Sequence, residues 1–145
     1  MLKTHRPMRK INKIIVHCTA NRPGCKMKAL DFRKLRLQTK CGYHFIVFED
    51  GNWFNDVPVE QVANHCRFHN ADSIGIAYVG GLDANNVTAD TRTPAQKKTL
   101  RFLLKQLLRR FPVPIYGHRH FNNGKVCPCF DADAEYKDLL HEVDK

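Results

Sequence analysis

The sequence lacks an apolar stretch long enough to cross a membrane. A spanning helix needs about 20 consecutive apolar residues, and Lys, Arg or Gly interrupts the longest apolar stretches of this chain well before that length. We also expect no separate leader, because Asn12 and Lys13 interrupt the first apolar run and that run leads directly into a predicted strand. We therefore expect a soluble protein that is synthesised in the cytoplasm.

The composition lacks the bias of a disordered or fibrous protein. Hydrophobic residues make up 43%, charged residues 26% and aromatic residues 10%, which excludes an intrinsically disordered chain, a collagen and a coiled coil. Internal repeats, low-complexity segments and linkers are absent, and 145 residues fit one domain. The six cysteines show no paired zinc-finger spacing, and a chain of this length needs no disulfides to fold. We therefore expect free thiols, with at most one cysteine as a metal ligand.

Negative charge is scarce in this chain. It has 24 Lys and Arg against 14 Asp and Glu, a net charge of +10, which suits a nucleic acid, a membrane surface or an acidic cell-envelope polymer. A nucleic-acid binder should present a stripe of Lys and Arg with exposed aromatic residues. The basic residues here fall on several predicted faces instead, so no nucleic-acid partner is expected.

Short β-branched runs alternate with helical patterns along the chain. Strands are predicted at 13–17, 43–48, 53–54, 73–79 and 115–116, and helices at 29–39, 94–111 and 136–143. The second helix has the clearest start, because Thr93 and Gln96 can form a capping box around Pro94. The basic face of the first helix is expected to be solvated. This order predicts a single α/β domain over residues 1–145, with a central mixed β-sheet flanked by helices.

Candidate metal ligands follow two of the predicted strands. His17 ends the first strand, and His118 lies at the start of an irregular loop over 117–131 that also carries Cys127. Either histidine alone is more often a hydrogen-bonded structural residue, but a thiolate with two imidazoles is a three-ligand zinc set with one position open for water. Rival sets would draw on three other histidines, namely His44, His65 and His120.

Five segments resemble one enzyme family in the order in which they occur. They are IVHCTA at 15–20, GYHFIV at 42–47, Asn70 with SIGIA at 73–77, TPAQ at 93–96, and GHR at 117–119 with KVCP at 125–128. Together they resemble the zinc-dependent N-acetylmuramoyl-L-alanine amidases, in the branch that contains phage amidase-type lysozymes and peptidoglycan recognition proteins. The resemblance spans about residues 12–140 and implies the amidase and peptidoglycan-recognition fold.

The resemblance also implies roles for six residues of this chain. They are zinc ligands at His17, His118 and Cys127, catalytic residues at Tyr43 and Lys125, and a residue lining the glycopeptide groove at His65. Lys125 would hold a positive charge near the developing oxyanion, and Tyr43 would position the water or donate a hydrogen bond to the same oxygen. His120 and Cys129 depart from the family pattern, in which an acidic and a small residue are expected.

These roles predict a zinc-dependent hydrolase that cleaves the amide bond between N-acetylmuramic acid and L-alanine of peptidoglycan. We expect a monomer that acts on the cell wall after release or export. The alternative is a peptidoglycan-binding module of the same fold without hydrolysis, which in this family accompanies loss of the cysteine ligand. Cys127 favours the enzyme, and a basic nucleic-acid-binding protein is the third interpretation.

Overall fold

The strands and helices predicted from the sequence are present, with small shifts at their ends. A computed structural model describes residues 8–143 of the chain. Its strands are β1 (Lys13–Cys18), β2 (Phe45–Val47), β3 (Trp53–Asn55), β4 (Ser73–Tyr78) and β5 (Ile115–Gly117). Its helices are α1 (Ala29–Thr39), α2 (Pro94–Arg110), α3 (Ala132–Glu135) and α4 (Leu139–Val143), with a 3₁₀ turn at His118–His120. No helix within residues 8–143 has the length and apolar character needed to cross a membrane.

The sheet is mixed, as predicted, and its strand order is β3-β2-β4-β1-β5. β1 pairs in parallel with β4 and β5, and β2 pairs in parallel with β4, whereas β3 runs antiparallel to β2. The β-branched residues of β1 are buried, which suits a strand inside the sheet. The C-terminal end of β1 therefore lies beside the ends of neighbouring parallel strands, where ligand sites of open α/β sheets commonly form.

The two faces of the sheet carry different residues. Apolar side chains of one face form a core with the buried face of α2, which comprises Ile14, Val16, Ile74, Ile76 and Tyr78 with Leu100, Leu103, Leu104, Leu107 and Leu108. On the opposite face the strand register pairs Ile15 with Gly75 and His17 with Ala77. The small residues Gly75 and Ala77 leave space over β4 beside His17.

α2 begins with the predicted capping box. Thr93 Oγ1 accepts a hydrogen bond from the Gln96 backbone N–H at 3.1 Å, and Gln96 Oε1 accepts one from the Thr93 N–H at 3.0 Å. The buried Gln96 amide also donates to the carbonyls of Val47 and Val79, at 3.2 and 2.9 Å. The first turn of α2 is therefore fixed to the ends of β2 and β4.

α1 is held in place largely by charge. Phe32 is the buried residue of this helix, whereas Arg33 and Arg36 donate hydrogen bonds to the buried carboxylate of Asp56 at 2.8 and 2.6 Å. Burial alone would raise the pKa of Asp56, but the hydrogen bonds from the two guanidinium groups outweigh it and lower that pKa. The expectation of a solvated basic face is therefore wrong for Arg36, whereas Arg33 remains 46% exposed while it contacts the same carboxylate from the loop after β3.

Two predicted boundaries are also wrong. β2 begins at Phe45, so Tyr43 and His44 belong to the segment that leads into the strand. The predicted closing helix over 136–143 is a turn followed by α4, and the short α3 precedes it. α3 has its own cap, because the Asp131 carboxylate accepts a hydrogen bond from the Ala134 backbone N–H at 3.1 Å.

Candidate active site

His17 is buried near the C-terminal end of β1, with three aromatic rings around it. The residue is 1% exposed, and its ring centroid lies 4.6 Å from that of His118, 4.9 Å from that of His65 and 5.1 Å from that of Tyr43. His118 comes from the 3₁₀ turn after β5, which is paired with β1, and Tyr43 comes from the segment before β2. The sheet topology therefore brings these side chains together at the C-terminal ends of the parallel strands.

The three predicted metal ligands lie together. One donor atom from each of His17, His118 and Cys127 can be chosen so that all three lie within 4.8 Å of one another. Among residues 8–143, no other group of three or more His, Cys, Asp or Glu side chains comes close enough together to hold a metal ion. The Cys127 Sγ lies 3.8 Å from His17 Nδ1, so Nδ1 is the ring nitrogen that faces the thiol.

The donor set fits zinc better than a hard cation. Zinc binds imidazole nitrogen at about 2.0–2.1 Å and thiolate sulfur at about 2.3 Å, so a tetrahedral zinc ion holds such donors roughly 3.5 Å apart. The 3.8 Å between Cys127 Sγ and His17 Nδ1 is close to that spacing. Mg²⁺ and Ca²⁺ prefer oxygen ligands, which this group does not offer.

The surroundings of the group favour metal-binding protonation states. Burial, with the nearby His65 and His118, lowers the pKa of His17 well below its ordinary value, so the ring stays neutral. A hydrogen bond from the Cys18 thiol lowers the pKa of Cys127, and this effect outweighs burial. The Cys18 backbone N–H also lies 3.2 Å from Cys127 Sγ. These contacts favour an ionised sulfur at Cys127.

Both predicted catalytic residues line one cavity with the ligand group. This cavity has a volume of about 400 Å³, and its walls include His17, Tyr43, His118, Lys125 and Cys127. Burial raises the pKa of Tyr43, which therefore keeps its phenolic proton near neutral pH. Lys125 is exposed on the loop between the 3₁₀ turn and Cys127.

A second cavity of about 390 Å³ forms a groove beside α1. Its walls include Met27, Phe32, Leu35, Thr39 and Asn64. Three residues line both cavities, namely Thr19, Tyr43 and His65. His65, which the resemblance assigns to the glycopeptide groove, therefore lies between the two cavities. The sequence did not indicate its contact with His17, in which His65 Nδ1 lies 2.8 Å from His17 Nε2.

The rival histidines and the two departures from the family pattern have other contacts. His44 Nδ1 accepts a hydrogen bond from the Gly75 N–H at 3.0 Å, and His120 Nδ1 lies 2.7 Å from an oxygen of Asp133. Cys129 Sγ lies 3.9 Å from Cys18 Sγ, and the six cysteines, all within residues 8–143, form no disulfide there. Asp133 therefore supplies an acidic partner from α3, although the expected acidic residue after Gly-His-Arg is missing.

Comparisons with known proteins agree with this geometry. Residues 7–130 match the family model described as N-acetylmuramoyl-L-alanine amidase. The endolysin of Escherichia phage T7 is 33% identical over 121 residues, which cover 81% of this chain and 80% of that protein. The amidase LysC from Clostridium intestinale aligns with a TM-score of 0.73 at 21% identity, over 93% of this chain and 86% of that chain. Drosophila peptidoglycan recognition protein SA aligns with a TM-score of 0.70 at 16% identity, over 94% and 83% of the two chains, and so shares the fold. The chain belongs to the N-acetylmuramoyl-L-alanine amidase family.

Proposed function

We propose that this chain is a zinc-dependent amidase that cleaves the bond between N-acetylmuramic acid and L-alanine of peptidoglycan. Its family and its endolysin relatives support a peptidoglycan amidase activity. The zinc part of the proposal depends on one observation, which is the convergence of donor atoms from His17, His118 and Cys127 within 4.8 Å of one another.

His17, His118 and Cys127 would hold the zinc ion. When bound, zinc activates a water molecule and polarises the carbonyl group of the scissile amide. The protein contributes the correct protonation states, because burial keeps His17 neutral and contacts from Cys18 favour an ionised Cys127. A neutral imidazole and a thiolate are the forms in which these side chains bind zinc.

Tyr43 and Lys125 would act on the substrate. Cleavage of an amide develops negative charge on the carbonyl oxygen and requires a proton for the departing amine. The Tyr43 hydroxyl retains its proton, so it can donate a hydrogen bond to that oxygen or orient the attacking water. Lys125 places a positive charge at the same cavity, where it would stabilise the oxyanion.

The groove beside α1 would bind the stem peptide, with His65 as a substrate contact. The groove and the catalytic cavity share Thr19, Tyr43 and His65, so a peptide in the groove leads directly to the ligand group. The lining of the groove is mostly apolar, with Met27, Phe32 and Leu35, which suits the methyl and methylene groups of a short peptide.

We infer that residues 1–145 form one amidase domain that works as a monomer on the bacterial cell wall after release or export. The phage endolysins to which the chain is similar support the cell wall as its place of action. No nucleic-acid partner is proposed.

A non-catalytic peptidoglycan-binding module is the second candidate function. The fold shared with a peptidoglycan recognition protein favours it. The presence of a thiol at Cys127, within reach of two histidines, favours the enzyme, because a binding module has no need for a complete ligand set.

A digest of purified peptidoglycan tests the proposal. We expect the wild-type chain with zinc to release L-alanine amino termini, a chelator to stop the release, and added zinc to restore it. A wild-type chain that binds the polymer in the presence of zinc but never creates new amino termini would overturn the enzyme and favour the binding module.

A further inference from the structure

A chain of hydrogen bonds leads from β4 to His17. Ser73 Oγ lies 2.6 Å from the carbonyl oxygen of His69 and 3.0 Å from His65 Nε2. His65 Nδ1 lies 2.8 Å from His17 Nε2, and the other nitrogen of His17 faces Cys127 Sγ at 3.8 Å. The chain therefore ends at the ring nitrogen that faces the proposed zinc site.

The chemistry of these groups sets the direction of each hydrogen bond. A carbonyl oxygen only accepts, so the Ser73 hydroxyl proton is donated to His69, and Ser73 Oγ must accept from His65 Nε2–H. A neutral imidazole has one donor and one acceptor nitrogen, so His65 Nδ1 then accepts from His17 Nε2–H.

The backbone of β4 and a side chain of the preceding loop fix the position of His65. A Cβ atom at Gly75 would lie 2.6 Å from His65 Cγ, so the ring occupies space that only a glycine leaves free. The Asn70 side-chain oxygen accepts hydrogen bonds from the backbone N–H groups of His65 and Cys66, at 2.9 and 2.7 Å. The hydrogen bonds from the backbone to Asn70 fix the His65 main chain, and the close fit against Gly75 of β4 fixes its ring.

We propose that Ser73 and His65 are positioning residues that hold His17 in the tautomer whose Nδ1 lone pair faces the zinc site. This inference rests on the proposed function, because it takes His17 as a zinc ligand, and it adds a second role for His65 to the substrate contact. Partners that orient a ligating histidine fix its tautomer and raise its basicity, and their loss typically lowers metal affinity about 10-fold to 100-fold.

Zinc affinity, measured by competition with a chromophoric chelator at one neutral pH, tests this role. We expect Ser73→Ala and His65→Leu to weaken zinc binding by about 10-fold or more. Ser73→Thr retains a hydroxyl group and should bind zinc almost as the wild type does. His65→Asn places an amide oxygen near the position of Nδ1, so it should lose less affinity than His65→Leu.

A double variant separates positioning from a general loss of structure. In the His65→Asn chain the side chain is too short to reach Ser73, so adding Ser73→Ala should leave zinc affinity unchanged. Thr99→Ala is the matched control, because it removes a hydroxyl that donates to the Gly51 carbonyl at 2.7 Å in a part of the fold away from the ligands. It should alter thermal stability without altering zinc affinity.

Gly75→Ala provides an independent variant, because it removes no polar group but displaces the His65 ring. It should also weaken zinc binding. Equal zinc affinities for the wild type, Ser73→Ala and His65→Leu would overturn the positioning role while leaving the proposed function intact. A wild-type chain that takes up no zinc would overturn the proposed function, and the inference with it.

Discussion

At the scale of single residues, the site depends on how burial and neighbours set protonation. Burial keeps both His17 and Tyr43 uncharged. It lowers the pKa of the His17 imidazole, which stays neutral, and raises the pKa of the Tyr43 hydroxyl, which keeps its proton. Cys127 is the exception, because contacts from Cys18 favour its ionised form. One small cavity therefore combines a neutral imidazole, a thiol with a lowered pKa and a hydroxyl donor, which are the groups that the proposed amide hydrolysis with zinc would use.

Substitution of Tyr43 or Lys125 should affect turnover without affecting metal content. Loss of one group that stabilises the oxyanion typically costs on the order of 100-fold in rate. We expect Tyr43→Phe and Lys125→Ala each to reduce the release of L-alanine amino termini by about that factor, with zinc content equal to that of the wild type. Lys98→Ala, on the exposed side of α2, is the control and should cleave normally. Wild-type rates in both site variants would show that these residues are not catalytic.

The sequence predicted the candidate ligands but not the contact between the two central histidines. His17 and His118 stand out because they follow predicted strands, whereas the choice of their set with Cys127 over rival histidines came from the family resemblance. The bond between His17 and His65 joins residues 48 positions apart, and it depends on the absence of a side chain at Gly75. A glycine in a strand can have several roles, so the sequence pattern did not indicate that Gly75 leaves room for the His65 ring.

At the scale of elements, α1 forms a wall of the groove although it buries little apolar surface. Its attachment relies on Asp56, which is buried and accepts hydrogen bonds from Arg33 and Arg36. The helical pattern indicated α1, but the helix has only a weak apolar face. The partner of its arginines, Asp56, comes after β2 and β3 in the sequence. The sequence therefore predicted the helix and not its anchor.

Asp56→Asn should loosen α1 and change the response to acid. The folded-state pKa of Asp56 is lowered, so its carboxylate stabilises the fold above its unfolded pKa of about 3.9, and this stabilisation is lost as pH falls through the folded value. We expect the variant to lose about 1–3 kcal/mol of unfolding free energy at neutral pH and to show a weaker further loss below about pH 4 than the wild type. Urea titrations at several pH values measure both effects.

Asp138→Asn, at an exposed position, is the control for that comparison and should behave as the wild type. A parallel fall in stability for the wild type and Asp56→Asn between neutral pH and acid would contradict the anchoring role of this carboxylate.

At the scale of the whole molecule, one face of the sheet packs the apolar core and the other face carries the candidate active site. The apolar core lies between the sheet and α2, while His17, Gly75 and Ala77 occupy the opposite face. The alternation of β and α patterns was sufficient to predict this architecture. The groove was not predictable in the same way, because its walls combine residues from α1 and from loops whose path depends on tertiary contacts.

Removal of zinc should therefore inactivate the chain without unfolding it. A ligand present at about 100 times its Kd adds roughly 3 kcal/mol to unfolding free energy, which corresponds to a shift in Tm on the order of 5–10 °C for a domain of this size. We expect the chelated chain to melt cooperatively at a Tm lower by about that amount. A chelated chain without a cooperative transition would show that the core does not hold the fold alone.

The most direct test of the account compares the wild type with Cys127→Ser on purified peptidoglycan in the presence of zinc. Serine stays protonated near neutral pH and is a much poorer zinc ligand than a thiolate, so the variant should lose metal and cleavage together. The groove is built from other side chains, so the variant should still sediment with the polymer while releasing no L-alanine amino termini. Undiminished cleavage by Cys127→Ser would contradict the account.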